Sequence, residues 1–149
     1  MQATIRPADL TDLHTLRDLY RQLQPADPPW PSEAAAEEAL RKVVGHDGVT
    51  IFISDIDGIA AATCMLVVCP NFSRSGRPFA LIENVVTHRE YRKRGYGRQL
   101  VEHAIEAARQ HGCYRVTLMT GSRREETLHF YESAGLRRGT KTTFEARFA

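Results

Sequence analysis

Cysteine is scarce in this chain, and long apolar runs are missing. There are three cysteines, Cys64, Cys69 and Cys113, an odd number at irregular spacing. That pattern fits neither a disulfide framework nor a zinc site, so no metal is expected and the thiols read as small buried apolar groups. It also implies a reducing compartment, and a cytoplasmic location is the expectation. No stretch approaches the roughly 18 apolar residues of a membrane span, which argues against a membrane partner. The opening "MQATIRPADL" has no apolar core of the length a secretory leader needs. Charge of one sign is also lacking: 20 Lys and Arg against 18 Asp and Glu leave a formal net charge of +2. A dedicated nucleic-acid binder carries a stronger basic excess. Internal repeats and low-complexity tracts are absent as well.

What is present suits one globular domain over residues 1–149: 42% of the residues are hydrophobic and 26% charged. "QATIRPA" starts as a strand. Asp9 is placed to cap a helix carrying Leu10, Leu13, Leu16, Leu19, Tyr20 and Leu23 at helical spacing. The four prolines of "QPADPPWPSE" interrupt the chain, and Ser32 caps a second helix. "VTIFISD" and "GIAAATCMLVVC" form a hairpin about Asp57-Gly58. "FALIENVVTH" is a strand with an acid, Glu83, inside an apolar run. Gly95 to His111 is an amphipathic helix, "CYRVTLMT" a strand, and "REETLHFYESA" a helix closed by Gly135. "LRRGTKTTFEARF" has room for one or two final strands. The unit from 79 to 120 reads as a right-handed parallel crossover and the rest as antiparallel, giving a mixed sheet in an α+β fold.

The most basic stretch, "HREYRKRGYGRQL", lies where a strand meets a helix. The amides of a helix N-terminus and the positive end of its dipole bind phosphate. Glycine at 95 and 97 lets a phosphate approach the backbone, and Arg92, Lys93, Arg94 and Arg98 add charge. The Gly-Lys-Ser/Thr ending of a Walker loop is missing, and the spacing is Arg92-x-x-Gly95-x-Gly97 instead. Nucleic-acid binding through this stretch is the competing reading. Only Tyr91 and Tyr96 offer rings for base stacking there, so no nucleic-acid partner is expected.

In this setting "VVTHREYRKRGYGRQLVEHAIEAARQHG" resembles the acetyl-CoA signature of the GNAT superfamily of N-acetyltransferases. "IRPADLTDLHTL" is similar to the family's first strand and helix. "LHFYESAGL" is similar to its closing helix, with Leu136 in place of the usual aromatic. The resemblance implies a mostly antiparallel sheet flanked by helices on both faces, with two parallel strands splayed apart. It implies that amides of Lys93 through Arg98, Tyr96 among them, hold the coenzyme A pyrophosphate. Val85, Val86 and Thr87 would pair with the pantetheine arm, and an amide near Val86 would polarise the thioester carbonyl.

Acetyl transfer to an amine needs one proton removed and one supplied. Glu83 is the candidate base, acting through a water, with burial raising its pKa. Strand alternation puts Glu83 on the same face as Val85 and Thr87. Tyr131 is the candidate acid, because a phenol near pKa 10 is matched to a thiol near 8.5. Trp30, Asn84 and Thr120 are candidate acceptor contacts. Arg74 and Arg77 are expected near the acceptor side, where they would suit an anionic substrate. "LIENVV" and "GCYRVTL" look similar to glucosamine-phosphate N-acetyltransferases, so an amino-sugar phosphate is one acceptor among several small amines. A non-catalytic acyl-CoA sensor is the alternative to an enzyme. Family habit suggests a homodimer, through "KTTFEARF".

Overall fold

The computed structural model describes residues 2–149. In chain order the elements are β1 (Thr4–Pro7), a 3-10 turn (Leu10–Asp12), α1 (Leu13–Leu23), α2 (Glu33–Val44), β2 (Val49–Ile56), β3 (Ile59–Cys69), β4 (Phe79–Thr87), α3 (Tyr96–Gln110), β5 (Val116–Leu118) and α4 (Glu125–Ser133). The strands form one sheet in the order β1-β2-β3-β4-β5. The first three pairings are antiparallel and the β4–β5 pairing is parallel. The β2–β3 hairpin turns on Asp57 (φ 51°) and Gly58 (φ 89°), two left-handed residues in succession, as a tight two-residue turn demands.

The sheet is covered on both faces. On one, Leu16 of α1 and Leu40 of α2 pack onto Ile51, Ile53 and Met65. On the other, Leu100, Val101, Ala104 and Ala108 of α3 pack onto Phe52, Cys64, Leu66, Ala80 and Ile82. Each fully buried leucine or isoleucine contributes about 1.5–3 kcal/mol, so these two layers outweigh local helix propensity in fixing where the helices sit. Cys64 and Cys113 are buried, and all three thiols are free. Burial pushes the Cys64 thiol up to about 12, which keeps it an inert packing group near neutrality.

The N-terminal corner is tied by charge. Arg6 donates to both carboxylate oxygens of Asp12 at 2.9 Å, and Asp12 also accepts the Asp9 amide at 2.9 Å. The Arg6 hydrogen bonds hold the Asp12 carboxyl below its ordinary range. A carboxyl depressed in this way adds stability above its unfolded pKa and loses it as pH falls through the lower folded value. Asp12→Ala is therefore expected to cost about 2 kcal/mol at neutral pH, with Arg6 partly exposed keeping the figure modest. Its deficit should shrink below about pH 4, in urea titrations run across the acid range.

Two expectations fail. Residues 136–149 form no strand, and Phe144 and Phe148 are 93% and 92% exposed. A strand needs an edge to pair with, and β5 is only three residues long. The eight residues of "CYRVTLMT" shrink to Val116–Leu118 because β4 and β5 part company there.

Candidate active site

The site begins with that parting. β5 pairs with β4 only from Ala80 to Ile82, ending at Ile82 opposite Leu118. β4 runs on to Thr87 with β3 as its strand partner. The backbone from Glu83 to Thr87, including Val85 and Val86, thus borders an open gap on the β5 side.

β4 is bulged at the same place. Met65 stands opposite Glu83 and Thr63 opposite Val86, so Asn84 and Val85 together face the single residue Cys64. Asn84 takes φ 55°, a left-handed conformation that asparagine tolerates better than most residues. This overturns the simple alternation expected for Glu83. The extra residue reverses the order of faces: Glu83 and Val86 share the α1–α2 face, whereas Val85 packs in the α3 layer and Thr87 faces Gly97. Glu83 is half-buried on its strand.

At the start of α3, Gly95 is the N-cap at φ 87° and no side chain caps the first turn. Glycine has no side chain, so the cap position itself does not take up the amides of that turn. Gly97 also has a packing role. A Cβ there would lie 2.4 Å from Thr87 Oγ1 and 3.2 Å from the Phe130 ring. Its missing side chain lets α3 dock on β4 and α4, whereas a Cβ on Gly95 would meet nothing within 4 Å. The basic side chains are partly committed within the protein. Arg92 donates to the Thr87 carbonyl at 3.2 Å and Arg98 to Glu102 at 2.9 Å. Arg94 lies over the Tyr91 ring at 5.5 Å, the Tyr96 ring stands 6.3 Å from Tyr91, and the Lys93 ammonium is 3.9 Å from Glu126.

Tyr131 projects from α4, half-buried, its ring 5.0 Å from Phe130 in an edge-on contact. Burial, with a smaller contribution from Cys64, raises its phenol above the ordinary value of 10. Tyr131 therefore keeps its phenolic proton near neutrality. Cys64 also acts on Tyr20 of α1, whose phenol burial pushes up to about 12. The two tyrosines thus come in from α1 and α4 to the neighbourhood of the bulge.

A cavity of about 820 Å³ opens between α1, α2 and the proline-rich loop, over β2 and β3. It brings together Trp30 and Asn84 but not Thr120, which lies beyond β5 and accepts the Ser122 amide at 3.2 Å. Glu83 adjoins it through its neighbour Asn84 and its cross-strand partner Met65, both wall residues. Tyr20, also in the wall, went unnoticed among the core residues of α1; the signal was a polar tip in an otherwise leucine stripe. Arg74 and Arg77 are elsewhere. They sit before the start of β4, where Arg77 donates to the Gly112 and Cys113 carbonyls and Arg74 stacks over Tyr114. The bulge lies at the other end of the strand, so these arginines do not reach the cavity.

Known proteins resemble this chain in sequence and fold. Residues 13–136 match the acetyltransferase (GNAT) family. Glucosamine 6-phosphate N-acetyltransferase of Trypanosoma brucei brucei is 33% identical over 134 residues, covering 89% of this chain and 88% of that protein. Glucosamine 6-phosphate N-acetyltransferase 1 of Oryza sativa subsp. japonica is 34% identical, covering 76% and 70%. Among solved structures, a provisionally named acetyltransferase of Agrobacterium tumefaciens superposes with a TM-score of 0.89 at 42% identity, over 97% of this chain and 99% of that one. The chain belongs to the GNAT family of N-acetyltransferases.

Proposed function

We propose that residues 1–149 act as one cytoplasmic domain that moves an acetyl group from acetyl-CoA to the primary amine of a small acceptor. The observation that carries this reading is the gap beyond Ile82, set beside an α3 N-terminus with no side-chain cap. The gap suits an extended pantetheine arm along Val85–Thr87, and the uncapped amides suit the pyrophosphate. An amide near Val86 would donate a hydrogen bond to the thioester carbonyl.

The acceptor amine enters from the α1–α2 face, which Glu83 shares. Glu83 takes its proton through a water while nitrogen bonds to the acetyl carbon. The carbon–sulfur bond breaks, and Tyr131 hands its phenolic proton to the departing thiolate. The proton held by Glu83 then passes through water to Tyr131, which returns both groups to their starting states. Both proton-transferring groups, Glu83 and Tyr131, come from this chain. A homodimer built through residues 141–148 is consistent with the exposure of Phe144 and Phe148.

Millimolar acetyl-CoA is expected to raise the melting temperature. At 100 times Kd the gain is about 2.7 kcal/mol. No shift in differential scanning fluorimetry would remove the donor from the proposal. Free-thiol release with a panel of amines then separates an enzyme from an acyl-CoA sensor. The names of the two protein relatives favour glucosamine 6-phosphate as one member of that panel.

A further inference from the structure

Beside the α1–α2 cavity lies a second hollow, of about 600 Å³, between the C-terminal half of α1 and the turn that leaves β4. Asp18, Arg21 and Gln22 of α1, with Pro25 just beyond it, form one side, and His88, Arg89 and Arg92 form the other. The turn is fastened to the helix: the Arg89 amide donates to Gln22 Oε1 at 2.9 Å. The hollow takes its walls from α1 and none from α3. It therefore opens on the face of the sheet that Glu83 shares, away from the α3 amides offered to the coenzyme.

Its charge is unbalanced. Three arginines face one carboxylate, a net of +2 with histidine neutral. Arg21 is matched by Asp18 at 3.1 Å. Arg92 donates from its Nε to the Thr87 carbonyl at 3.2 Å. The Arg89 guanidinium has no hydrogen bond or ion pair among the described residues. His88 accepts the Glu90 amide on Nδ1 at 3.1 Å, so in the neutral ring the proton is on Nε2, a further donor. A single exposed arginine is ordinary, but several around one concavity, with guanidinium N–H groups unspent, suit the oxygens of a phosphate. A phosphate monoester carries about −1.5 to −2 near neutrality, which matches the charge of the hollow.

The hollow and the cavity adjoin, because Arg21 and Pro25 belong to both walls. Asn84 borders the cavity and His88 the hollow, and four positions separate them, about 13 Å of extended chain at most. A small molecule can therefore keep its amine beside Glu83 and its anion between Arg21 and Arg89. We propose that the hollow is the anion subsite of the acceptor, holding the phosphate of a phosphorylated primary amine, with Arg89 setting the preference for it. The proposal rests on the acetyltransferase reading and adds to it the residues that recognise the acceptor's charge.

The test pairs glucosamine 6-phosphate with glucosamine, which differ only in the phosphate, and follows thiol release by the intact protein, Arg89→Ala and Arg89→Lys. Arg89 is exposed, so both variants should melt like the parent. The expected kcat/KM of the parent is at least tenfold higher for glucosamine 6-phosphate, and added salt should erode that preference. Arg89→Ala should raise KM for glucosamine 6-phosphate about tenfold, with kcat near the parental value and KM for glucosamine and acetyl-CoA unchanged. Arg89→Lys, which keeps the charge but loses the planar fork, should fall between. Equal kcat/KM on the two amines overturns the inference and leaves the acetyltransferase reading intact. So does an Arg89→Ala protein with parental KM for glucosamine 6-phosphate. A matching rise in KM for acetyl-CoA also overturns it, by giving the hollow to the coenzyme's phosphates. If neither amine is turned over, calorimetric titration of glucosamine 6-phosphate onto the coenzyme A complex decides. Saturable binding that Arg89→Ala weakens supports the subsite, and binding that is absent or unchanged in the variant overturns it. A thermal shift with acetyl-CoA alone reports separately on the donor site.

Discussion

Gly97→Val is expected to lose both acetyl-CoA binding and about 3 kcal/mol of stability, the upper end for overpacking a fitted contact. The reason is internal to the protein. The first carbon of any side chain at 97 would stand 2.4 Å from Thr87 Oγ1, so α3 must move away from β4 or Thr87 must turn. Thr87 ends the strand edge offered to the pantetheine arm, and α3 carries the amides offered to the pyrophosphate. One added branch therefore disturbs both halves of the donor site. For a chain of this length the melting temperature should fall by about 6–12 °C, and acetyl-CoA should no longer raise it. A Gly97→Val protein that melts like the parent and still gains stability from acetyl-CoA would show that the helix is free to shift without consequence. Gly95 supplies the control. A substitution there meets no atom within 4 Å but is forced to φ 87°, so it strains the turn without wedging the helix from the strand.

The second large effect is on rate alone. Tyr131→Phe keeps the ring and its edge-on contact with Phe130 but removes the proton. kcat is expected to drop by about 10²- to 10⁴-fold, the range for a lost general acid, with acetyl-CoA binding unchanged by fluorimetry. Because burial raises the Tyr131 phenol above 10, its ionisation lies at the alkaline extreme. The rate should not be lost to this group below about pH 9.5. An alkaline limb near pH 8, or a Tyr131→Phe enzyme with normal kcat, assigns the leaving-group proton elsewhere.

Much of this was legible before any coordinates. The leucine spacing of α1, the Asp57-Gly58 turn and the strand-to-helix junction at Gly95 are local signals, and each forms where its residues predict. The resemblance of the Arg92-to-Gly97 stretch to one family reached the same conclusion as the fold. What failed was non-local. Alternation assumes one residue per step along a strand, so it could not register that Asn84 and Val85 share one partner, Cys64. Arg74 and Arg77 were placed by closeness in sequence to β4, yet they serve the end of the strand away from the gap. The strands expected near Phe144 and Phe148 have the right composition, but the edge beside them, β5, is only three residues long and they do not form. Gly97 was singled out for a phosphate contact, and its neighbours Thr87 and Phe130 add a packing constraint that only three dimensions reveal. Tyr20 reads as core on a helical wheel, and its hydroxyl is indeed buried, without a hydrogen-bond partner among the described residues.

The doubled position on β4 also bears on how such a site tolerates change over time. Point substitutions at Asn84 leave the count of residues intact. A one-residue deletion between Glu83 and Val86 does not: it removes the bulge, leaving one residue opposite Cys64 while Val86 and Thr87 keep their partners Thr63 and Ala62. The left-handed step at Asn84, and the way it turns the backbone at the mouth of the gap, would be lost. The length of this segment is therefore a stricter constraint than its spelling, and alignments that open a gap there describe a different site.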